Sequence, residues 1–158
     1  MSTLTKRATI YLDPVLHKAL RLQSIETSRS VSELVNDAVR DELAQDASDL
    51  AAFENRKNEP TVDFADFVKG LKRDGTIWII VKQSVAKDLK RIPKKDVKRI
   101  LAAIRTLVQN PRPPQAKKLS GQDRYRLRQG NYRILYAIED DRLIVCVVKV
   151  GDRRDVYR

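Results

Sequence analysis

The sequence has few of the residues that build metal sites, disulfides and membrane spans. Its 158 residues include one cysteine, Cys146, and one histidine, His17. These counts exclude an intramolecular disulfide, a cysteine-based zinc cage and a multi-histidine metal site. No apolar run approaches the roughly 18 residues that a membrane span needs, and residues 1–12 lack the apolar region of a signal peptide. We therefore expect a reduced, cytoplasmic protein with no metal, no cofactor and no membrane partner.

Positive charge is what the chain has in excess, and it is distributed unevenly. The 32 Lys+Arg and 21 Asp+Glu give a net charge of +11. Residues 1–75 carry 11 Lys+Arg and 13 Asp+Glu, a net −2, whereas residues 76–158 carry 21 and 8, a net +13. A basic balance favours polyanionic partners. The asymmetry indicates two modules with different partners, of which the acidic one could neutralise the basic one.

The first module, residues 1–45, has the pattern of one strand and two helices. Lys6–Leu12 alternates apolar with polar side chains, which is typical of a strand with one apolar face. Asp13-Pro14 then opens a helix, and Ser30 with Glu33 forms a capping box for a second helix. Because so short a module buries little surface and has no metal or disulfide, we expect it to dimerise.

The segments K-R-A-T-I-Y-L-D-P and R-S-V-S-E-L-V-N-D-A-V of this module resemble ribbon-helix-helix DNA-binding proteins of the CopG/Arc type, as found in bacterial antitoxins (RelB-type). The resemblance implies a homodimer whose paired N-terminal strands enter the major groove of operator DNA. Arg7, Thr9 and Tyr11 would then face base edges, and the amide groups of Ser30 and Val31 would hold a phosphate. The alternative is a strand that mediates dimerisation without touching DNA.

Residues 46–75 form an acidic helical linker. Pro60 ends one helix, and the spacing predicts another over Thr61–Leu71, whose apolar face would consist of Phe64, Phe67, Val68 and Leu71. An amphipathic helix with flanking carboxylates suits a groove in a basic partner, so we assign these four residues to neutralisation of the second module. The alternative is an ordinary helix packed on its own domain.

The second module, residues 76–158, has the pattern of a small α+β domain of order β-α-α-β-β-β, with a helical hairpin on a twisted antiparallel sheet. The continuous apolar run Ile77–Val81 predicts a buried strand, and Gly130-Asn131 predicts a hairpin. Two helices follow the first strand, with apolar positions from Val85 to Ile92 and from Val97 to Val108. The remaining predicted strands are Tyr125–Gln129, Tyr132–Ile138 and Leu143–Val150.

Basic side chains are concentrated on one strand of this module. Arg124, Arg126 and Arg128 occupy alternate positions and therefore share one face, and Arg133 follows the hairpin. Three arginines on one face repel each other unless an anion lies between them. The pattern favours an RNA- or phosphate-binding surface, the alternative being a generic basic face.

Two motifs, K-K-L-S-G-x-x-R-Y-R-L-R-Q-G-N-Y-R-I-L-Y and V-V-K-V-G-D-R-R-D-V-Y-R, are similar to the RelE branch of the RelE/ParE toxin superfamily. The resemblance implies an endoribonuclease that cuts mRNA on the ribosome, in which the 2′-hydroxyl attacks the adjacent phosphate. The catalytic residues that it implies are Arg126, Arg128, Arg133, Arg153 and Tyr157. This sequence has arginine where the best-known relative has strand lysines, and arginine is a poor general base. Tyr157 would then accept the proton, or catalysis would be mainly electrostatic.

The whole sequence therefore resembles an antitoxin and its toxin in one polypeptide. We expect the antitoxin half to hold the toxin half inactive, within one chain or across a dimer, and to repress its own operon. Two alternatives stay open, namely a ParE-like toxin that inhibits DNA gyrase, and an inert toxin half in a purely regulatory DNA-binding protein.

Overall fold

The computed structural model describes residues 4–68 and 77–153. The chain divides into two compact units, Met1–Gln45 and Asp46–Arg158. Within the described residues, no helix is long and apolar enough to cross a membrane. The same residues contain no cluster of three His, Cys, Asp or Glu side chains that could hold a metal ion.

The first unit contains helix α1, Pro14–Thr27, and the start of helix α2, Val31–Arg56. The predicted start signals are confirmed: the Asp13 carboxylate accepts hydrogen bonds from the backbone N–H groups of Val15 and Leu16, and Ser30 Oγ accepts one from Glu33 N–H at 3.0 Å. Both side chains satisfy amide groups that a helix leaves without partners in its first turn.

The predicted strand over Lys6–Leu12 is absent, because residues 4–13 have no regular secondary structure. A β-strand is defined by hydrogen bonds to a neighbouring strand. No other segment between residues 4 and 45 is extended enough to supply one, since the rest of that range is helical or forms the turn between the helices.

Within the described residues, the second unit contains the end of α2, six strands and three further helices. Its strands are β1 Thr61–Asp63, β2 Trp78–Lys82, β3 Ala116–Ser120, β4 Arg124–Gln129, β5 Tyr132–Glu139 and β6 Ile144–Asp152. Its further helices are α3 Phe64–Phe67, α4 Val85–Lys90 and α5 Lys94–Thr106, and a 3₁₀ turn covers Asp140–Arg142. The predicted α+β class is confirmed, with β1 and β3 as additional strands.

The six strands form one sheet in the order β1-β2-β6-β5-β4-β3. The predicted sheet was antiparallel, but the pair β2–β6 is parallel, with Ile80 opposite Cys146. The other pairs are antiparallel. The parallel pair arises because the α4–α5 hairpin carries the chain across one face of the sheet after β2.

The two faces of the sheet are covered differently. The apolar face packs on α4 and α5 in the main core, which includes Val85, Ile100, Ile104, Ile134, Tyr136, Val145 and Val147. The opposite face, here called the basic face, carries a smaller apolar cluster of Leu135, Cys146 and Val148 beside the arginines of β4. Residues 46–56 of α2, here called the covering segment, contribute Ala52 and Phe53 to that smaller cluster.

The linker after α2 differs from the predicted helix over Thr61–Leu71. Thr61–Asp63 pairs with the edge of β2 as β1, and only Phe64–Phe67 is helical. The strand forms in place of the first turn of the predicted helix because Thr61 and Val62 favour extended backbone. The short helix begins after Asp63, whose carboxylate accepts a hydrogen bond from Ala65 N–H. Phe64 is buried in the main core, with Phe67 and Val68 packed against it, whereas Leu71 lies outside the described residues.

Candidate functional site

The basic face is built by the side-chain alternation of strand β4. Arg124, Arg126 and Arg128 point to this face, whereas Tyr125 and Leu127 point into the main core. In the neighbouring strand β5, Arg133 lies opposite Arg128 in the register. Because directly opposed residues of two strands lie on the same side of a sheet, the hairpin arginine joins the arginines of β4.

The covering segment presents matching charges at helical spacing. Asp46, Asp49, Phe53 and Arg56 follow one another at intervals of three, four and three residues, which places them on one side of α2. This side contacts the basic face. The carboxylates of Asp46 and Asp49 therefore lie on the arginine cluster, which agrees with the charge split of the sequence.

A single carboxylate joins two buried arginines. Asp49 Oδ2 accepts a hydrogen bond from Arg126 Nη1 at 2.9 Å, and Asp49 Oδ1 accepts one from Arg133 Nε at 2.7 Å. The side chain of Asp49 is 0% exposed, and those of Arg126 and Arg133 are 1% and 2% exposed. Arg133 Nη1 also donates to the backbone oxygen of Asp152. Three buried charged groups can lie this close together in the interior only because they are paired and hydrogen-bonded.

Further ion pairs surround this central bridge. Asp46 contacts both Arg126 Nη1, at 3.0 Å, and Lys117 Nζ, at 3.0 Å from Oδ2. At the rim, Arg124 Nη2 lies 3.0 Å from Glu54 Oε1. The hydrogen bonds from Arg124 and Lys57 lower the pKa of Glu54.

The covering segment is also held by apolar and cationic contacts. Phe53 packs in the cluster with Cys146, and the Arg124 guanidinium lies 5.2 Å from the centre of its ring. At the end of α2, Arg56 donates to both carboxylate oxygens of Asp88, at 2.7 and 3.0 Å, and to the backbone oxygen of Val148. The covering segment is therefore held by its carboxylates on sheet arginines, by its own Arg56 on a carboxylate, and by a small apolar contact.

Comparison with known families matches each half of the sequence. Residues 79–157 match the family described as the ParE toxin of the type II toxin–antitoxin system parDE, and residues 2–63 match the RH3 domain family. RelE1, a toxin-family protein of Methanocaldococcus jannaschii, is 34% identical over 82 residues, which cover 49% of this chain and 91% of that protein. The chain belongs to the RelE/ParE toxin family. It carries a RelE-type toxin domain preceded by an RH3 domain.

Two solved structures are similar to the toxin domain. One is the RelB–RelE antitoxin–toxin complex of Methanococcus jannaschii, with 28% identity and a TM-score of 0.42, covering 49% of this chain and 93% of that chain. The other is the archaeal RelE–RelB complex of Pyrococcus horikoshii, with 26% identity and a TM-score of 0.42, covering 48% and 92%.

The structure brings together part of the toxin residue set that the sequence predicted. Arg126, Arg128 and Arg133 share the basic face of the RelE-type domain. Arg153 is exposed in the turn after β6, where its backbone N–H donates to Asn131 O at 2.9 Å. Tyr157 lies outside the described residues, so its proximity to the arginines stays a prediction.

The predicted DNA-reading residues lie in the first unit. Arg7, Thr9 and Tyr11 are exposed in the segment without regular structure, and Tyr11 is 99% exposed. Ser30 and Val31 stand at the start of α2, as predicted. Their contact with DNA stays a prediction.

Sequence reasoning assigned neutralisation to the four residues Phe64, Phe67, Val68 and Leu71 and gave Asp46 and Asp49 no role of their own. The structure places Asp49, not Phe64 or Phe67, against the buried arginines, whereas Phe64 lies in the main core on the other face. A signal for the missed residues was present, because Asp46, Asp49 and Phe53 are spaced as one helical face within a net-acidic stretch.

Proposed function

We propose that the toxin domain is an mRNA endoribonuclease and that the covering segment holds it inactive. The observation that carries the proposal is the Asp49 carboxylate, which is fully buried between Arg126 and Arg133. A carboxylate held by two buried guanidinium groups marks a position at which those cations bind an anion.

In this arrangement the Asp49 carboxylate stands in for a phosphodiester group of RNA. Each of its two oxygens accepts a hydrogen bond from a different arginine. The two non-bridging oxygens of a phosphodiester offer the same pair of acceptors and the same negative charge. RNA and the covering segment therefore compete for the same donors, and binding of one excludes the other.

The proposed reaction uses a nucleophile that the RNA itself supplies. The 2′-oxygen attacks the adjacent phosphorus, the bond from phosphorus to the 5′-oxygen breaks, and the products are a 2′,3′-cyclic phosphate and a 5′-hydroxyl. Arg126 and Arg133 stabilise the negative charge that develops on the phosphorane oxygens. We assign acceptance of the 2′-hydroxyl proton to Tyr157, because arginine stays protonated, and solvent returns a proton to the 5′-oxygen.

A second basic surface supports an RNA partner as large as the ribosome. Helices α4 and α5 and the turn between them expose eight cations on the side of the sheet opposite the arginine cluster, namely Lys87, Lys90, Arg91, Lys94, Lys95, Lys98, Arg99 and Arg105. The two carboxylates of the same stretch are engaged elsewhere, since Asp88 pairs with Arg56 and Asp96 accepts from Tyr132 Oη. Such a surface attracts an RNA backbone in a salt-dependent way.

For the first unit we propose a homodimer that binds operator DNA. Among residues 4–45, Leu34 is the only apolar residue that is buried, whereas Val15 is 78% exposed and Ile25 is 76% exposed. Exposed apolar side chains of this kind favour burial of the surface against a second copy of the chain. A second copy would also supply the partner strand that residues 6–12 need, which would present Arg7, Thr9 and Tyr11 together on a ribbon.

A second candidate function is inhibition of DNA gyrase, as expected for a ParE-like toxin. The observation that favours it is the family description matched by residues 79–157. The buried arginine cluster favours RNA cleavage instead, because inhibition by binding a protein does not require a phosphate position between two arginines.

The substitution Asp49→Lys in the full chain tests the proposal. It places an ammonium group against Arg126 and Arg133, so repulsion between like charges should release the covering segment. We expect expression of this variant to arrest growth and to cut mRNA within translated codons, which the wild-type chain should not do. Asp41→Lys is the matched control, because it makes the same charge change at an exposed position of the same helix.

Further substitutions separate the candidate functions. Adding Arg133→Ala to the Asp49→Lys chain should lower cleavage at least about 100-fold, since a donor to the developing charge is lost, and adding Tyr157→Phe should lower it as well. Intact mRNA with SOS induction and gyrase-linked DNA breaks would reject the nuclease in favour of gyrase inhibition. No difference between Asp49→Lys and Asp41→Lys would reject inhibition by the covering segment.

A further inference from the structure

We propose that Lys117 and Arg126 form a second anion-binding subsite on the basic face, which binds the RNA phosphate next to the scissile one. The proposal rests on the proposed function, in which Asp49 occupies the position of the scissile phosphate. It assigns a substrate-binding role to Lys117, a residue outside the predicted catalytic set.

The second subsite is marked by the Asp46 carboxylate. Lys117 Nζ lies 3.2 Å from Asp46 Oδ1 and 3.0 Å from Oδ2, and Arg126 Nη1 lies 3.0 Å from Oδ1. Strand pairing sets this geometry, since Lys117 of β3 lies opposite Arg126 of β4 in the register. Both cations therefore project from the same side of the sheet and meet at one carboxylate.

The two subsites are adjacent because they share one nitrogen. Arg126 Nη1 donates to Asp46 Oδ1 at 3.0 Å and to Asp49 Oδ2 at 2.9 Å, so these two oxygens lie within about 6 Å of each other. Neighbouring phosphates of a single RNA strand have a comparable separation, and a basic groove that tracks the backbone is typical of single-strand binding. The covering segment thus presents two negative charges where an RNA strand would present two phosphates.

The two subsites differ in chemistry and in access. The Asp49 position lies between two side chains that are almost fully buried, whereas the side chain of Lys117 is 43% exposed. An arginine pair fixes the orientation of the group that reacts, whereas a lysine acts as a point charge that binds phosphate without fixing its orientation. Lys117 is therefore suited to hold a phosphate that does not react, at the side of the site where the strand enters.

A binding experiment on a full chain with both carboxylates neutralised tests the subsite. Asp46→Asn and Asp49→Asn together remove the competing charges while keeping side-chain size. The ligands are 2′-O-methyl oligoribonucleotides, which lack the nucleophilic hydroxyl, with either one or two internucleotide phosphates. We expect the two-phosphate ligand to bind about tenfold more tightly, as one charge-assisted contact allows. Lys117→Gln should remove this advantage and leave the affinity of the one-phosphate ligand unchanged.

Lys118→Gln is the matched control, because Lys118 neighbours Lys117 on β3 but pairs with Asp123. The same loss with Lys118→Gln as with Lys117→Gln, equal affinity of the two ligands, or no binding of either would overturn the subsite. Binding with the expected pattern, but without RNA cleavage by the Asp49→Lys chain, would reject the nuclease and leave the subsite standing.

A second variant keeps the proposal testable if the double substitution prevents folding. Asp46→Asn alone retains the Asp49 bridge and opens only the subsite at Lys117. Methyl phosphate should then shift the side-chain NMR signal of Lys117 and leave that of Lys118 in place. No shift, or equal shifts of both lysines, would overturn the proposal.

Discussion

The two faces of the same sheet are closed by different interactions. On the apolar face, Ile100, Ile104 and Leu107 are fully buried against the sheet. On the basic face, the covering segment is held by the Asp49 bridge, the ion pairs of Asp46 and Arg56, and the small cluster around Phe53. One face is closed mainly by apolar burial and the other mainly by paired charges.

This difference indicates that the covering segment can detach from the basic face while the apolar face stays packed. Apolar burial stabilises the fold by roughly 25 cal/mol per Å² wherever water is excluded, so opening the apolar face would unfold the domain. Buried ion pairs recover little more than the cost of removing both charges from water. A segment held by ion pairs can therefore be displaced by another anion at small net cost, which suits an inhibitor that has to be released.

The largest effect is expected from a charge in the apolar face. Ile104→Asp places a carboxylate without a partner at a fully buried position, so the toxin unit should fail to fold. Circular dichroism and chemical denaturation of the full chain would measure this. Leu143→Asp, at an exposed position, is the control and should leave the fold intact. A cooperative unfolding transition of wild-type midpoint for Ile104→Asp would contradict the assignment of this face as the core.

A local effect is expected on the basic face. Asp49→Ala leaves Arg126 and Arg133 buried without their shared carboxylate, which should weaken attachment of the covering segment by about 3–5 kcal/mol. Hydrogen exchange of residues 46–56 should accelerate, while the amides of α5 keep their protection. Faster exchange in α5 as well would show that both faces open together and would remove the distinction between them.

A smaller effect on attachment of the linker is expected when the pH is lowered. Contact with Ser84 lowers the pKa of Glu59, whose Oε1 accepts a hydrogen bond from the backbone N–H of Ser84 at 2.5 Å. Because the pKa of Glu59 is lowered in the folded chain, its carboxylate stabilises attachment of the linker at pH values above the pKa of the unfolded chain, and this contribution is lost as the pH falls through the lower pKa of the folded chain. The protection factors of residues 57–63, which correct for the slower intrinsic exchange of amides in acid, should therefore fall as the pH is lowered, and fall less in Glu59→Gln. An identical pH dependence in both chains would contradict this role.

The smallest effect is expected at the rim of the basic face. Glu54 is half exposed where it meets Arg124, and exposed ion pairs contribute little. Glu54→Gln should leave unchanged both the hydrogen exchange of residues 46–56 and the growth of cells that express the chain. Release of toxicity by Glu54→Gln would mean that rim charges, not the buried Asp49 bridge, hold the cover.

Local patterns allowed the toxin fold and its arginines to be predicted, whereas contacts between distant segments were not predictable. Side-chain alternation placed Arg126 on one face, and the hairpin signal placed Arg133 beside it. β3 was missed because an edge strand with Lys117 and Lys118 lacks an apolar alternation. Asp49 contacts arginines that lie 77 and 84 positions further along the chain. Helical spacing indicates that Asp49 and Phe53 share one side of α2, but it does not identify the strands that this side contacts.

The labelling rate of Cys146 by a thiol reagent tests most directly whether residues 46–56 form a removable cover. This single cysteine is buried beneath Ala52 and Phe53, and burial raises the pKa of its thiol to about 11. Release of the cover would both expose the thiol and remove the cause of its raised pKa. We predict that Asp49→Lys increases the labelling rate of the full chain at least about tenfold, the change that corresponds to ~1.4 kcal/mol. Asp41→Lys should label at the wild-type rate. Equal rates for Asp49→Lys, Asp41→Lys and wild type would contradict a cover held by the Asp49 bridge.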